Sequence, residues 1–404
     1  MEKRVIADLH IHSKYSRATS NALSFENLVK YARIKGVGLL GTGDFTHPAW
    51  LNEIKKLREE NGVYYFEDFP FIITGEISLI YTQEKGRRVH LVILVPSIEV
   101  AEKINNWLDT KGRRDYDGRP IFKISCRDFT AKMFEIDNMI EIIPSHAWTP
   151  WFGVFGSESG FNSLKEAFQD QEKNIHAIET GMSSDPEMNW HLSELNNKTI
   201  VSFSDLHSFW PWRLGREATI FNLDKVFTYK DIIEAIRENK IKATIETHPE
   251  YGKYHWDGHR LCNFSCSPQE SKKLNNICPV CKKPLVIGVE NRVEELTDQE
   301  ISKHIARKPF YKILPLHELI ALAKASTLAS RKTWQVYNSL IEKFGNEFNI
   351  LLNVSKTDLI KALPNDAQLI DLILNNRIGN IRIQPGFDGQ YGIPLLKEKQ
   401  EKLF

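Results

Sequence analysis

The chain has 404 residues, 53 lysines and arginines against 52 aspartates and glutamates, and 42% hydrophobic residues. That balance, with 11% aromatic residues, excludes a disordered polyelectrolyte and a polycationic coat protein but leaves room for a local basic groove. The apolar runs are strand-sized, the strongest covering residues 90–95, which excludes an apolar membrane-spanning helix and predicts a cytoplasmic, nucleoid-associated protein.

The predicted elements begin with a strand over 5–12. Its two-residue period places Asp8, His10 and His12 on one face. A helix over 24–35 follows, with Phe25, Leu28, Val29, Ala32 and Ile34 near helical spacing and Gly36 as its stop. Then come a strand over 37–41, a helix over 48–60, and strands over 71–81, 89–95, 139–143, 175–179, 200–203 and 218–221. This strand–helix alternation predicts an α/β fold with a parallel sheet, and seven or eight such units predict a barrel.

Most ligand-type residues collect where the strands leave the sheet, as His10, His12, Asp44, His146, Glu179, Asp205 and His207 do, while Glu76 is carried on the strand over 71–81 and His90 heads the strand over 89–95. Imidazoles mixed with carboxylates suit Zn2+, Mn2+ or Fe2+ better than Mg2+. Their number exceeds one ion's need and points to a two- or three-metal cluster. Such ions, roughly 3.5–4 Å apart, clamp the oxygens of a phosphate ester, so hydrolysis at phosphorus is the expected chemistry. Amidohydrolase chemistry on a similar barrel is the rival, but it would be favoured by a ligating lysine that these strand ends lack.

Residues 248–290 form a second unit, aromatic and irregular. Cys262-x3-Cys266 and Cys278-x2-Cys281 are two knuckles whose four thiolates satisfy a tetrahedral structural zinc. Cys126 stands alone and reads as a small buried hydrophobe. Residues 291–404 read as a helical domain, with amphipathic segments over 316–324, 332–343, 357–363 (Ser355 as N-cap) and 367–375. Aromatic residues that could stack a base are Trp151, Trp190, Trp212 and Tyr254. Arg113 and Arg114, with Arg119 nearby, could contact phosphates. Asp185 either orients a water or a metal, or caps a turn.

The motifs Asp8-x-His10-x-His12-Ser13, Gly43-Asp44, Gly75-Glu76, Pro144-Ser145-His146 and Asp205-x-His207 resemble the PHP (polymerase and histidinol phosphatase) superfamily over residues 1–247. The resemblance implies a PHP-type distorted β/α barrel. By motif, His10, His12, Glu76 and Asp205 would hold one metal, Glu76 would bridge to a second held by His90 and His146, and His207 with Asp44 would serve a third. The stretch 14–20 lacks the further histidine the superfamily often carries, and Thr42-Gly43-Asp44-Phe45 replaces its Thr-Asp-His, so His47 or a water would substitute at that third site.

The whole chain is similar to the endonuclease Q family of DNA-repair nucleases. The matching stretches are Gly41-Thr42-Gly43-Asp44-Phe45-Thr46-His47-Pro48, the run from Glu179 to Trp190, residues 252–260 before the cysteines, and residues 385–392. This resemblance implies a metal-dependent endonuclease that nicks single- or double-stranded DNA 5′ to hypoxanthine, uracil, xanthine or an abasic site, leaving 3′-hydroxyl and 5′-phosphate ends. It implies Glu76, Asp185 and Asp205 as catalytic residues and Zn2+, Mn2+ or Mg2+ as the catalytic ions. Deaminated bases pair weakly, so base flipping would explain the selectivity. Gln400, Leu403 and Phe404 resemble the start of a sliding-clamp peptide. Two rivals remain: a phosphatase or exonuclease without lesion specificity, and a binding module with a vestigial metal site.

Overall fold

The computed structural model describes residues 3–302 and 305–396. β1 (Lys3–Asp8) buries its last four residues and pairs in parallel with β2 (Leu39–Gly41). Between them runs α1 (Phe25–Lys35). Ser24 caps it by accepting from the Asn27 amide, and Gly36 ends it at φ 94°. α2 (Pro48–Ile54) is half the predicted helix. The rest becomes β3 (Arg58–Glu60), which turns through Asn61 and Gly62, both at positive φ, into β4 (Val63–Phe66). An Asn-Gly pair before a β-branched and aromatic run favours this hairpin over a continued helix.

β5 (Phe69–Gln83) and β6 (Lys85–Val95) form a long antiparallel hairpin in which Ser78 faces His90. With a period of two, Glu76 lies on the same face as His90. The chain continues through α3 (Ile98–Asp109), β7 (Ile121–Phe122), α4 (Cys126–Ile136) and β8 (Glu141–Pro144). It then passes α5 (Leu164–Phe168), β9 (Ala177–Glu179), α6 (Pro186–Asn189) and β10 (Thr199–Val201). β11 (Ala218–Leu223), α7 (Tyr229–Arg237) and β12 (Ala243–Glu246) close this part.

The main sheet is mixed rather than parallel, and its ladder is not closed into a barrel. β11 runs antiparallel to β1 and to β12, and β6 runs antiparallel to β5 and β8. β9 and β10 pair in parallel with each other alone. The all-parallel expectation fails because the 73–95 hairpin returns without a crossover helix. Alternation along β1 divides the core: Val5 and Ala7 join one apolar cluster and Ile6 the other, on opposite faces of the sheet.

β13 (Asp257–His259) and β14 (Phe264–Cys266) make a small hairpin, followed by α8 (Pro268–Lys273) and α9 (Val289–Leu296). β15 (Phe310–Lys312) adds an edge strand beside β12, so the C-terminal segment is stitched into the main sheet. The predicted helices follow as α10 (Leu316–Lys324), α11 (Arg331–Phe344), α13 (Lys356–Ala362) and α14 (Ala367–Arg377), with α12 (Glu347–Leu352) unpredicted. β16 (Ile383–Gln384) and β17 (Ile393–Pro394) end the described chain. The C-terminal helices meet α1 through a buried ion pair, Lys35 Nζ to Glu347 Oε1 at 2.6 Å. No helix among the described residues is long and apolar enough to cross a membrane.

Candidate metal centre and its surroundings

His10 and His12 follow β1, where the backbone amide of His12 donates to Leu206 O at 3.1 Å and ties the two loops together. Asp44, His146 and Asp205 all sit at positive φ (45°, 31° and 48°), so three rim positions turn sharply back over the sheet. The side chains form two groups whose donor atoms lie within 4.8 Å of one another: His10, His12, Glu76 and Asp205, and Glu76, His90 and His146. Glu76 belongs to both. Its Oε1 lies 3.6 Å from His10 Nε2, 3.0 Å from His90 Nδ1 and 3.3 Å from His146 Nε2. Its Oε2 lies 3.4 Å from His12 Nε2, and Asp205 Oδ1 is 3.1 Å from that same nitrogen.

The donor set fits divalent cations on this structure's own terms. Glu76 Oε1 and His10 Nε2 are buried without a hydrogen-bond partner, which is costly unless an ion completes them. Burial pushes His90 down to about 4, so its ring is neutral with a free lone pair. Burial would raise Glu76, yet His90, Arg119 and His10 hold it well below the usual carboxylate range. The remaining ring nitrogens are pinned from behind: His10 Nδ1 by Glu179 at 2.8 Å, His12 Nδ1 by Asp44 at 3.0 Å, and His146 Nδ1 by Thr149 Oγ1 at 3.0 Å. This is the support that orients metal-binding imidazoles.

Asp44 and His207 are not brought together as ligands of a third ion. Asp44 is already saturated: besides His12 it accepts from the Ser13 amide at 2.6 Å and Ser16 Oγ at 2.9 Å. The loop closes over it so tightly that a Cβ on Gly118 would lie 2.2 Å from Asp44 Oδ2. His207 has its Nδ1 at 2.9 Å from Asp205 O, with its ring 4.7 Å from that of His12.

Asp185 takes the capping role. It accepts from the Met188 amide at 2.9 Å at the start of α6 and pairs with Lys312 at 2.7 Å, outside both groups. Asp185→Ala is therefore expected to cost about 1 kcal/mol of stability or somewhat more, measured by urea unfolding, while metal content stays unchanged.

A cavity of about 370 Å³ opens beside the second group, lined by His146 and Asp205, by Trp151, Tyr254 and Tyr391, and by Arg119. Trp151 and Tyr254 meet edge to face at 5.9 Å. Trp190 and Trp212 are elsewhere. Trp190 lies edge-on to Phe310 at 5.8 Å, and Trp212 is buried against Trp210, His317 and Trp334. Arg113 is spent on Asp115, and Arg114 on Asp109 at 2.8 Å and Thr46 O at 2.5 Å. Sequence reasoning placed Arg119 only among loop cations, yet its Nη1 lies 3.0 Å from Glu76 Oε2. It likewise gave no partner to Glu179; only the fold brings that strand end behind His10.

Glu217, in the wall of the cavity, and Glu246 are both buried. Glu217 accepts from Thr247 Oγ1 at 2.8 Å, Glu246 from Thr180 and Ser202, and each leaves one oxygen unpartnered. Burial pushes Glu217 from 4.5 up to about 8, so the pair holds a proton at neutral pH. A carboxyl whose folded pKa is raised contributes stability present below the unfolded pKa and lost as pH rises through the folded one. Thermal midpoints should fall between about pH 4.5 and 8, and Glu217→Gln should flatten that slope.

In the cysteine module the structure replaces one expected ligand. His259, Cys262, Cys278 and Cys281 come together, with His259 Nδ1 3.2 Å from Cys262 Sγ and 3.3 Å from Cys281 Sγ. Cys266 is outside that donor set, though it packs in the same small cluster with Cys278 and Leu285. It pairs across the hairpin with Asp257, two rungs, or about 7 Å, from the turn that carries Cys262. Burial would raise the Cys278 thiol, but the Cys281 and Val280 amides bring it down to about 7, which suits a metal-binding thiolate. Zinc content should survive Cys266→Ser and fall by one equivalent in His259→Ala. The reverse pattern would restore the four-cysteine set.

The family model of the MJ0043 C-terminal domain matches residues 315–377. The chain is 32% identical over 285 residues to the protein MJ0043 of Methanocaldococcus jannaschii, a match covering 70% of this chain but 34% of that protein, so it spans about a third of that relative's length. It is 25% identical over 408 residues to the protein YqxK of Bacillus subtilis, covering 96% of this chain and 99% of that one. Among solved structures, the lesion-specific endonuclease PfuEndoQ from Pyrococcus furiosus matches with a TM-score of 0.86 and 28% identity over 100% of both chains. Endonuclease Q in complex with a 27-mer duplex substrate, with an abasic lesion at the active site, matches with a TM-score of 0.88 and 29% identity, again over 100% of both. The chain is thus similar to endonuclease Q from one end to the other, in fold as well as in sequence.

Proposed function

We propose that the protein is a hydrolase acting on DNA: a metal-dependent repair endonuclease that nicks a strand 5′ to an abasic site or to hypoxanthine, uracil or xanthine. The observation that carries this reading is Glu76, shared by two metal-ligand groups at the wall of a cavity of about 370 Å³, within the size range of small-molecule sites. The end-to-end similarity to endonuclease Q supports it.

His10, His12, Glu76 and Asp205 would hold one ion, and Glu76, His90 and His146 a second. The imidazole-rich set suits Zn2+ or Mn2+, with Mg2+ less favoured. Such ions supply Lewis acidity towards a phosphodiester and lower the pKa of nearby water. Glu179 and Asp44 fix the rings of His10 and His12. Arg119, held on Glu76, presents its cation to the phosphate oxygens, and Asp205, which reaches the cavity, orients the attacking water. Trp151 and Tyr254 offer ring faces and edges to an extruded nucleoside. A deaminated base leaves the stack at lower cost than a normal one. The cysteine–histidine module takes a structural zinc, and the protein acts in the cytoplasm on nucleoid DNA. The clamp-peptide residues Gln400, Leu403 and Phe404 lie outside the described residues.

The test is a set of end-labelled duplexes carrying one abasic site, hypoxanthine, uracil or xanthine, or no lesion. A single nick 5′ to the lesion, absent from undamaged DNA, is the expected result. Release of phosphate or terminal nucleotides without regard to the lesion would instead mean a phosphatase or exonuclease.

A further inference from the structure

The cysteine–histidine module carries a feature that metal binding does not use. Leu261 is 88% exposed, more than any other large apolar side chain among the described residues, and Val280 on the facing knuckle is 65% exposed. A leucine in a soft loop would fold back onto the surface, since apolar area is driven out of water. Leu261 cannot. It lies in the short turn Arg260–Cys262, between His259 and Cys262 of the metal group, and Asn263 closes that turn in the left-handed region at φ 47°. The arrangement holds an apolar tip in water on a rigid mount.

The mount stands at the cavity mouth. The Arg260 amide donates to Asp388 at 2.6 Å, and the Gly389 amide donates to Lys253 O at 2.9 Å. A Cβ placed on Gly389 would be 3.8 Å from Arg260 Nη1 and 3.9 Å from Tyr254 Oη. Tyr254 and Tyr391, which flank this segment, line the cavity beside the metal-ligand groups. The exposed cations Arg260, Lys282 and Lys283 follow His259 and Cys281 of the same group directly in the chain, which puts positive charge on the module as a surface facing phosphates requires.

We propose that Leu261 is an apolar wedge that enters the base stack of duplex DNA and fills the gap left when the damaged nucleotide moves into the cavity. The inference rests on the endonuclease reading above. Proteins that kink or open a duplex insert leucine, phenylalanine or similar side chains between base steps in this way. A wedge acts only where there is a stack to hold open, so single-stranded substrate has no use for it.

The experiment compares the full-length, metal-loaded protein with Leu261→Ala and Leu261→Phe on one lesion, presented in a duplex and in the same strand alone. Leu261→Ala should lose roughly tenfold or more on the duplex and change less than about twofold on the single strand, with Leu261→Phe restoring the duplex rate. Zinc content, equal in all three proteins, shows that the module is intact. Equal losses on both substrates, or no loss on the duplex, would overturn the wedge. A wild-type protein that cuts neither substrate would instead overturn the endonuclease reading. In that case the fluorescence of 2-aminopurine beside the lesion still decides the wedge. A rise on binding wild type that is absent with Leu261→Ala supports it, and the same signal with both, or with neither, rejects it.

Discussion

Replacing Glu76 by glutamine is expected to lower single-turnover cleavage by about a thousandfold, equivalent to ~4 kcal/mol of barrier, and to lower the bound metal in the purified protein. The substitution keeps the volume of a fully buried side chain but removes its charge and turns one acceptor into a donor. Oε1 faces His10, His90 and His146, and Oε2 faces His12 and Arg119, so an amide cannot satisfy both groups. Glu179→Gln, which touches His10 from behind, should cost only about 10–100-fold, as losses of supporting partners do. Metal content measured on dialysed protein separates the two effects. A Glu76→Gln protein with undiminished metal would mean that Glu76 does not link the two groups.

The largest effect on stability is expected at Lys35. Its ammonium is buried at 1% exposure between α1 and the helical segment, bonded to Glu347 Oε1 at 2.6 Å and to Pro211 O at 2.7 Å. Glu347 also accepts from Tyr337 at 2.8 Å and from the Leu316 amide at 2.9 Å. Lys35→Ala leaves that carboxylate buried and uncompensated, at a cost of about 3–5 kcal/mol. In Lys35→Met with Glu347→Gln no charge is buried, the amide oxygen still accepts from the Leu316 amide and the amide nitrogen donates to the Tyr337 oxygen in a reversed bond, so the double variant should be more stable than Lys35→Ala alone. Urea midpoints check this. Equal instability of the two proteins would show that the packing of Lys35, rather than its charge, matters.

How much of this was legible in the sequence follows from which interactions are local. The strand ends carrying His10, His12, His146 and Asp205 were readable because a two-residue period and a following turn are local properties; Glu76 and His90 lie mid-strand on the β5–β6 hairpin instead, and all six residues converge. The Gly36 stop of α1 and the helices near 316–324 and 367–375 were readable for the same reason. Strand direction was not. Nothing local distinguishes a crossover from the return made at 84–85, so a parallel sheet was expected where a mixed one stands.

Roles set by distant partners were equally hidden. Asp44 has a ligand's chemistry, yet Ser13, Ser16 and the close pass of Gly118 use up its oxygens. His259 was overlooked because cysteine spacing alone suggested a complete set, whereas hairpin register decides which of Cys266 and His259 reaches the turn. Trp212 read as a base-stacking surface and is instead buried where the loop after β10 meets α10 and α11.

The most direct test of the central claim is the cleavage of one abasic duplex by protein stripped of metal and then titrated with Zn2+ or Mn2+, in parallel with His146→Ala. The account predicts that nicking 5′ to the lesion appears only as ions beyond the one in the cysteine–histidine module are taken up, and that His146→Ala binds fewer of them and does not cut. Full activity without those ions, or an unimpaired His146→Ala protein, would contradict it.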